Sequence, residues 1–259
     1  LFADLLRHQC KTVYGMEQVA ALHRQASQWH EDNNLPDEAI HHALEAKDWQ
    51  RAMRLIYGYY EARWKRGEFN TILGWLKIIP DELLRKHHRL YNHYAALLAA
   101  VGQLDAAEAA LNYLEAAARD DTALQGEVAF ARGIVCKHWG DLERSLELTE
   151  KAFALLSPDN VAMRSRAAIG IAHTRQRFGH LQEAEKWATQ ACELGKQAGD
   201  ISVVVTALSQ IGIVAAYQGK LKRAIEIFKK ENELAGQTAW AGDQTTLCRV
   251  HYILNDLEA

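Results

Sequence analysis

The sequence predicts an all-α protein built as a solenoid of antiparallel helix pairs, and three observations carry that reading. One turn is written four times, as GQLDAAEAAL (102–111), GDLERSLELT (140–149), GHLQEAEKWA (179–188) and GKLKRAIEIF (219–228). Their glycines, 102, 140, 179 and 219, stand 38, 39 and 40 residues apart. A near-constant period of this length, with helical periodicity on both sides, belongs to stacked helical hairpins. Finally, alanine and leucine abound, and ISVVV (201–205) is the one β-branched run of any length.

The elements follow in chain order. Helices are expected near 16–32, 36–46, 48–66, 68–79 and 82–101 before the regular hairpins begin. Each of the three prolines precedes an aspartate (Pro36-Asp37, Pro80-Asp81, Pro158-Asp159). Proline is tolerated in a first helical turn and an acid is favoured at the positive end of the helix dipole, so each pair marks a helix start. The segment NNLPDEAIHHALEAKDWQRAMRLI (33–56) holds two short hairpin starts, with Ala39 and Ala52 in equivalent slots, and KRGEFNTILGWL (65–76) holds a third, turning at Gly67.

In the regular repeats, seven residues before each glycine stands Ala95, Gly133, Ala172 or Gly212. Five residues after it stands Ala107, Ser145, Ala184 or Ala224. Small residues on both helices permit close approach, because the interaxial distance depends on side-chain size at the contact. Leu104, Leu142, Leu181 and Leu221 open the second helix of each pair. In one of these helices Leu181, Ala184, Trp187, Ala188 and Ala191 form a single stripe at 3.6-residue spacing, which is core packing.

Small, Gly, Leu and Ala in this order resemble the tetratricopeptide repeat. The resemblance implies a right-handed superhelix, with helices about one turn longer than usual, since that family's period is about 34 residues. In its register, positions 10, 6, 3 and 2 before each turn glycine face the concave groove. The polar and aromatic residues so placed are Asn92, Phe130, Lys137, His138, His173, Gln176, Arg177, Ser209 and Tyr217, with Arg166 about two turns before His173 and Arg177. Cations beside Phe130 and Tyr217 suit a sugar, an anionic effector or a peptide acid, since ligand sites combine an apolar wall with a few converging polar groups. A solvated groove that binds nothing is the alternative.

A longer resemblance covers essentially the whole chain. LFADLLRHQ (1–9), VAALHRQASQWHEDNNLPDEAIHHALEAKDWQRAMRLI (19–56) and the GxLxxA turns are similar to the MalT-like, ATP-dependent transcriptional regulators of the LuxR class. That family orders a P-loop ATPase, a winged-helix segment, a helical sensor and a helix-turn-helix. The resemblance implies that residues 1–79 form a helical arm after a winged-helix segment and that 80–259 form the repeat sensor. HYILNDLEA (251–259) is expected to enter a further turn at Asn255 and to stop inside a repeat, leaving an apolar end face suited to self-association.

No GxxxxGK[ST] occurs in these 259 residues, so no enzyme activity and no cofactor are expected of them; ATP is implied only for a full-length regulator. A formal charge of −3 gives no basic excess for direct nucleic-acid binding. The cluster Arg63-Trp64-Lys65-Arg66 is expected to be the solvated end of a helix. Cys10, Cys136, Cys192 and Cys248 form no CxxC pair and read as free thiols. Twelve histidines offer no zinc-ligand spacing; Glu38/His42 and His41/Glu45 read as surface helix pairs. No apolar run approaches the roughly 20 residues of a membrane span, and a cytoplasmic location is expected. Two functions remain: a sensor that binds a small effector and takes part in self-association, or an interaction scaffold that holds a peptide or protein partner.

Overall fold

The structure, a computed structural model, describes residues 2–235, with side chains at residue 13 and from residue 15 onward. The turn expected at Asn255 and the thiols of Cys10 and Cys248 lie outside that description. Thirteen helices and no strand occur among the described residues. The chain forms two compact units, residues 1–97 and 98–259.

The first unit holds α1 (Phe2–Asp32), α2 (Pro36–Glu45), α3 (Trp49–Lys65), α4 (Phe69–Ile78), α5 (Asp81–Arg85) and most of α6 (His88–Ala100). α1 is interrupted at Gly15, whose φ of 75° no helix accommodates, so its second part begins where the sequence predicts. α2, α3 and α4 likewise match the expected helices to within a residue or so at each end. The helix expected over 82–101 is instead divided. Arg85, Lys86 and His87 are all exposed and bury nothing that would hold a continuing turn, so α5 stops and α6 starts afresh. Pro36 opens α2 and Pro80 precedes α5 as anticipated, whereas Pro158 lies in a loop and α10 starts later, capped by Asn160 through its Met163 N–H (3.3 Å).

Polar groups tie this unit together. Ser27 Oγ donates to Ala39 O (2.7 Å) and accepts from Arg51 Nε (2.8 Å), while Glu31 is gripped by Arg51 and Arg54. Arg63 is buried, ion-paired to Asp37 and Glu68, and stacked over Trp75; it is therefore an internal strut and not part of a solvated helix end. Its neighbour Arg66 does remain exposed. His42 also departs from the surface role expected of it. It is half-buried, its Nδ1 lies 2.8 Å from that of His23, and its ring stacks on His30. Burial, followed by the neighbouring histidines, lowers its pKa.

The second unit continues with α7 (Leu104–Ala117), α8 (Thr122–Trp139), α9 (Leu142–Leu155), α10 (Val161–Arg177), α11 (Leu181–Gln197), α12 (Ile201–Tyr217) and α13 (Leu221–Ala235). Each helix packs on the next along the chain, and α10 also touches α12 across α11. ISVVV is helical: it opens α12, where Val203, Val204 and Val205 enter the core and burial overrides β propensity. The small-residue slots are occupied as the spacing demands. A methyl on Gly212 would stand 2.4 Å from Phe228 Cε1, and one on Gly133 2.7 Å from Thr149 Oγ1. Ala172, Ala184 and Ala224 are wholly buried. Cys136 and Cys192 are free and buried. No described helix is long and apolar enough to cross a membrane.

Candidate functional site

The residues singled out by register, and Arg166 with them, scatter into four environments. Asn92 belongs to the first unit, where it is buried in α6 with its side-chain oxygen lacking a hydrogen-bond partner. Phe130 and Arg166 are interior residues of the second unit. Phe130 packs with Ala129, Ala152, Leu156 and Ala167. Arg166 is 7% exposed and donates to Asp200 (3.2 Å), which is wholly buried. Asp200 also accepts from Ser202 Oγ (2.5 Å) and from the Val203 N–H (3.3 Å), so one carboxylate caps α12 and fixes α10 to it. Burial pushes its pKa up, but the Ser202 hydroxyl, the Arg166 guanidinium and the Val203 N–H together hold it below the usual carboxylate value. Sequence reasoning missed Asp200; the available signal was its place directly after Gly199, at a helix N-cap.

The third environment is formed by the last turns of α8 and α10. Lys137 and His138 end α8 and are exposed. On α10, His173 and Gln176 are half-buried and Arg177 is exposed. Four-residue spacing puts His173 and Arg177 on one face of the helix. Lys137 stands close enough to both to exchange electrostatic influence: Arg177 lowers the Lys137 pKa, and Lys137 lowers that of His173. In each case the larger cause is desolvation. Lys137 reaches water, yet the protein packed around it disfavours its ammonium, and His173 is driven down to about 4. His173 is therefore a neutral imidazole at pH 7, influenced by the Lys137 cation, which in turn feels the Arg177 cation. Both cations sit at helix C-termini, where the dipole favours positive charge. Ser209 and Tyr217 stand on α12, the first half-buried and the second 67% exposed.

The other arginines of α8–α13 with ion pairs show what is unusual here. Arg132 meets Glu108 (2.5 Å), Arg144 meets Glu147 (2.6 Å), Arg175 meets Glu150 (2.5 Å) and Glu183 (3.2 Å), and Arg223 meets Glu185 (2.6 Å). Among the described residues no carboxylate bonds to Lys137 or Arg177, and none is among the charges that shift Lys137 or His173. Nor does any group of three or more His, Cys, Asp and Glu side chains among them have a geometry able to hold a metal ion.

Comparison with known proteins gives this frame a family. The chain is 26% identical over 243 residues to the serine/threonine-protein kinase PknK of Mycobacterium tuberculosis, covering 88% of this chain and 22% of that protein. It is 26% identical over 239 residues to the HTH-type transcriptional regulator MalT of Serratia proteamaculans, covering 90% and 26%, and 26% identical over 244 residues to MalT of Vibrio cholerae. It thus spans about a quarter of the length of these relatives. Among solved structures it is similar to a Rap protein complexed with competence and sporulation factor (TM-score 0.58, 13% identity, 97% of this chain and 85% of that one). It is also similar to BtubC from P. vanneervenii (TM-score 0.54, 15% identity, 81% and 85%). The sequence pattern of the MalT-like TPR region matches residues 126–259, slightly more than half of the chain, and the chain belongs to that family.

Proposed function

We propose that this chain is the sensing segment of a MalT-like, ATP-dependent LuxR-class regulator. It binds a small effector on the face where α8 and α10 end, and couples that binding to self-association and DNA binding by the full-length protein. The observation that supports this reading is the electrostatic influence that Lys137 of one hairpin exchanges with Arg177 and exerts on His173 of the next. The MalT-like TPR region matches residues 126–259, and the chain's relatives include transcriptional regulators.

A scaffold that holds a protein partner is the second reading. It is favoured by Trp139 and Tyr217, exposed by 50% and 67% where α8 and α12 end, and by the fold shared with a Rap protein that binds a factor. Aromatic residues are enriched at protein interfaces. Hydrogen–deuterium exchange with a panel of metabolites separates the two readings. The sensor reading predicts that at least one compound slows exchange in the last turns of α8 and α10. Protection there only on adding a protein or peptide, and with no metabolite, would replace it with the scaffold.

A further inference from the structure

The histidines between the first two helices form a cluster that neither functional reading uses. We infer that His23, His30 and His42 are an acid-sensitive clasp, closed at neutral pH and opened when the His23–His42 pair takes up a second proton, so that α1 loosens from α2. The inference does not depend on the sensor reading.

Geometry carries it. α1 packs on α2, and the Nδ1 atoms of His23 and His42 stand 2.8 Å apart across that contact. At this distance one ring donates and the other accepts, so the two nitrogens hold one proton between them. The bond survives when the pair is uncharged and when it carries a single positive charge. A second charge makes both nitrogens donors, which breaks the bond and sets two cations against each other with ring centroids 5.0 Å apart. His30, seven residues after His23 on the same face of α1, stacks on the His42 ring at 5.2 Å, and its Nδ1 is buried without a hydrogen-bond partner. Any charge on His30 therefore falls against the same ring.

Little opposing charge faces the cluster. On α2, His41 adds a further base 5.4 Å from His42, and the carboxylate that favours a proton on His42 is the exposed Glu45; Glu38, one turn before His42, is exposed too. On α1, Arg24 is exposed and Glu31 is held by Arg51 and Arg54 of α3. Arg63 of α3 is held by Asp37 and Glu68, and α4 carries Lys77. Burial first, then the surrounding histidines, lowers the His42 pKa from its ordinary 6.5. The closed clasp thus binds fewer protons than the loosened one, so closure is favoured above about 6.5 and is lost as the pH falls. The hydrogen bond from Arg54 holds the Glu31 carboxyl below its usual range, so α1 stays tied to α3 while it loosens from α2.

The test is hydrogen–deuterium exchange of the whole chain at about pH 7.5 and about pH 5.5, with rates corrected for the intrinsic effect of pH. Protection of residues 19–45 is expected to fall about tenfold or more between the two, as proton linkage over one pH unit below the ordinary histidine value requires. In His42→Gln, where the amide can hydrogen-bond His23 but takes no proton, the fall is expected to shrink to less than about twofold. His23→Gln leaves the His42 ring in place, relieves the like charge, and is expected to reduce the fall to about threefold or less. His180→Gln, at an exposed histidine of the second unit, is expected to fall as the wild type does. No fall in the wild type, or an equal fall in the wild type and in the His42 and His23 variants, overturns the inference.

Discussion

At the scale of single residues, two slots decide how closely the hairpins close, and both were legible as a spacing rule. Gly212 is the sharper case, because Phe228, 1% exposed, fills the space a side chain would need. Gly212→Val is expected to lower stability by about 1–3 kcal/mol, the usual effect of overpacking, as read from the midpoint of urea unfolding. An unchanged midpoint would mean that α12 and α13 do not pack as described. Ser145, the exception in the alanine series, is explained by its own chemistry: it is buried and its Oγ donates to Gly133 O (2.8 Å), so the hydroxyl is satisfied. Arg166 shows where residue-level reading fails. Helical register gives direction around one axis, but it does not say that an N-cap carboxylate from the next hairpin will reach back and bury the guanidinium.

At the scale of elements, the turn itself is the repeated invention, and it is older in the chain than the four glycines suggest. At Gly102, Gly140, Gly179 and Gly219 φ lies between 75° and 86°, and the following N–H reaches back to the fifth carbonyl before it, as Gln103 does to Leu98 O (2.8 Å) and His180 to Arg175 O (2.9 Å). This is the Schellman closure of a helix. Asn34 and Lys47 adopt the same conformation, with φ of 56° and 54°, and Leu35 and Asp48 make the same backward bonds (both 2.9 Å). The five-residue offset to a buried side chain persists at Ala39, Ala52 and Ile72, so the alanine slots identified the first-unit hairpins although glycine was missing from two of their turns. Lys47 bears a left-handed backbone that a side chain disfavours by about 1–2 kcal/mol. Lys47→Gly is therefore expected to raise the thermal midpoint of the chain by a few degrees, and a fall would show that the lysine makes a contact outweighing its strain. The helix break at Lys86–His87 and the loop at Pro158 were not legible, since both depend on which side chains find a core to enter and not on local propensity.

At the scale of the whole molecule, the fold class and the family were readable because a period near 39 residues and a run such as LHRQASQW leave little freedom of interpretation. The site was readable only in part. Register listed nine residues and helical spacing added Arg166; packing assigns Phe130 and Arg166 to the interior and leaves Lys137 in electrostatic reach of His173 and Arg177. Burial by neighbouring hairpins made that selection, and burial is not written in any one helix. The same packing sets a pH dependence. The pKa of His173 in the folded chain, about 4, lies below its ordinary value of 6.5, so the folded state binds fewer protons than the unfolded state between these limits. Its contribution to stability is complete above about 6.5 and is lost as the pH falls toward 4. The central claim, that packing desolvates His173 within reach of the Lys137 cation, is tested most directly by titrating the His173 ring proton by NMR, with His173→Asn assigning the signal. The account predicts a midpoint near 4 that rises in Lys137→Gln. A midpoint close to 6.5, unmoved by that substitution, would contradict it.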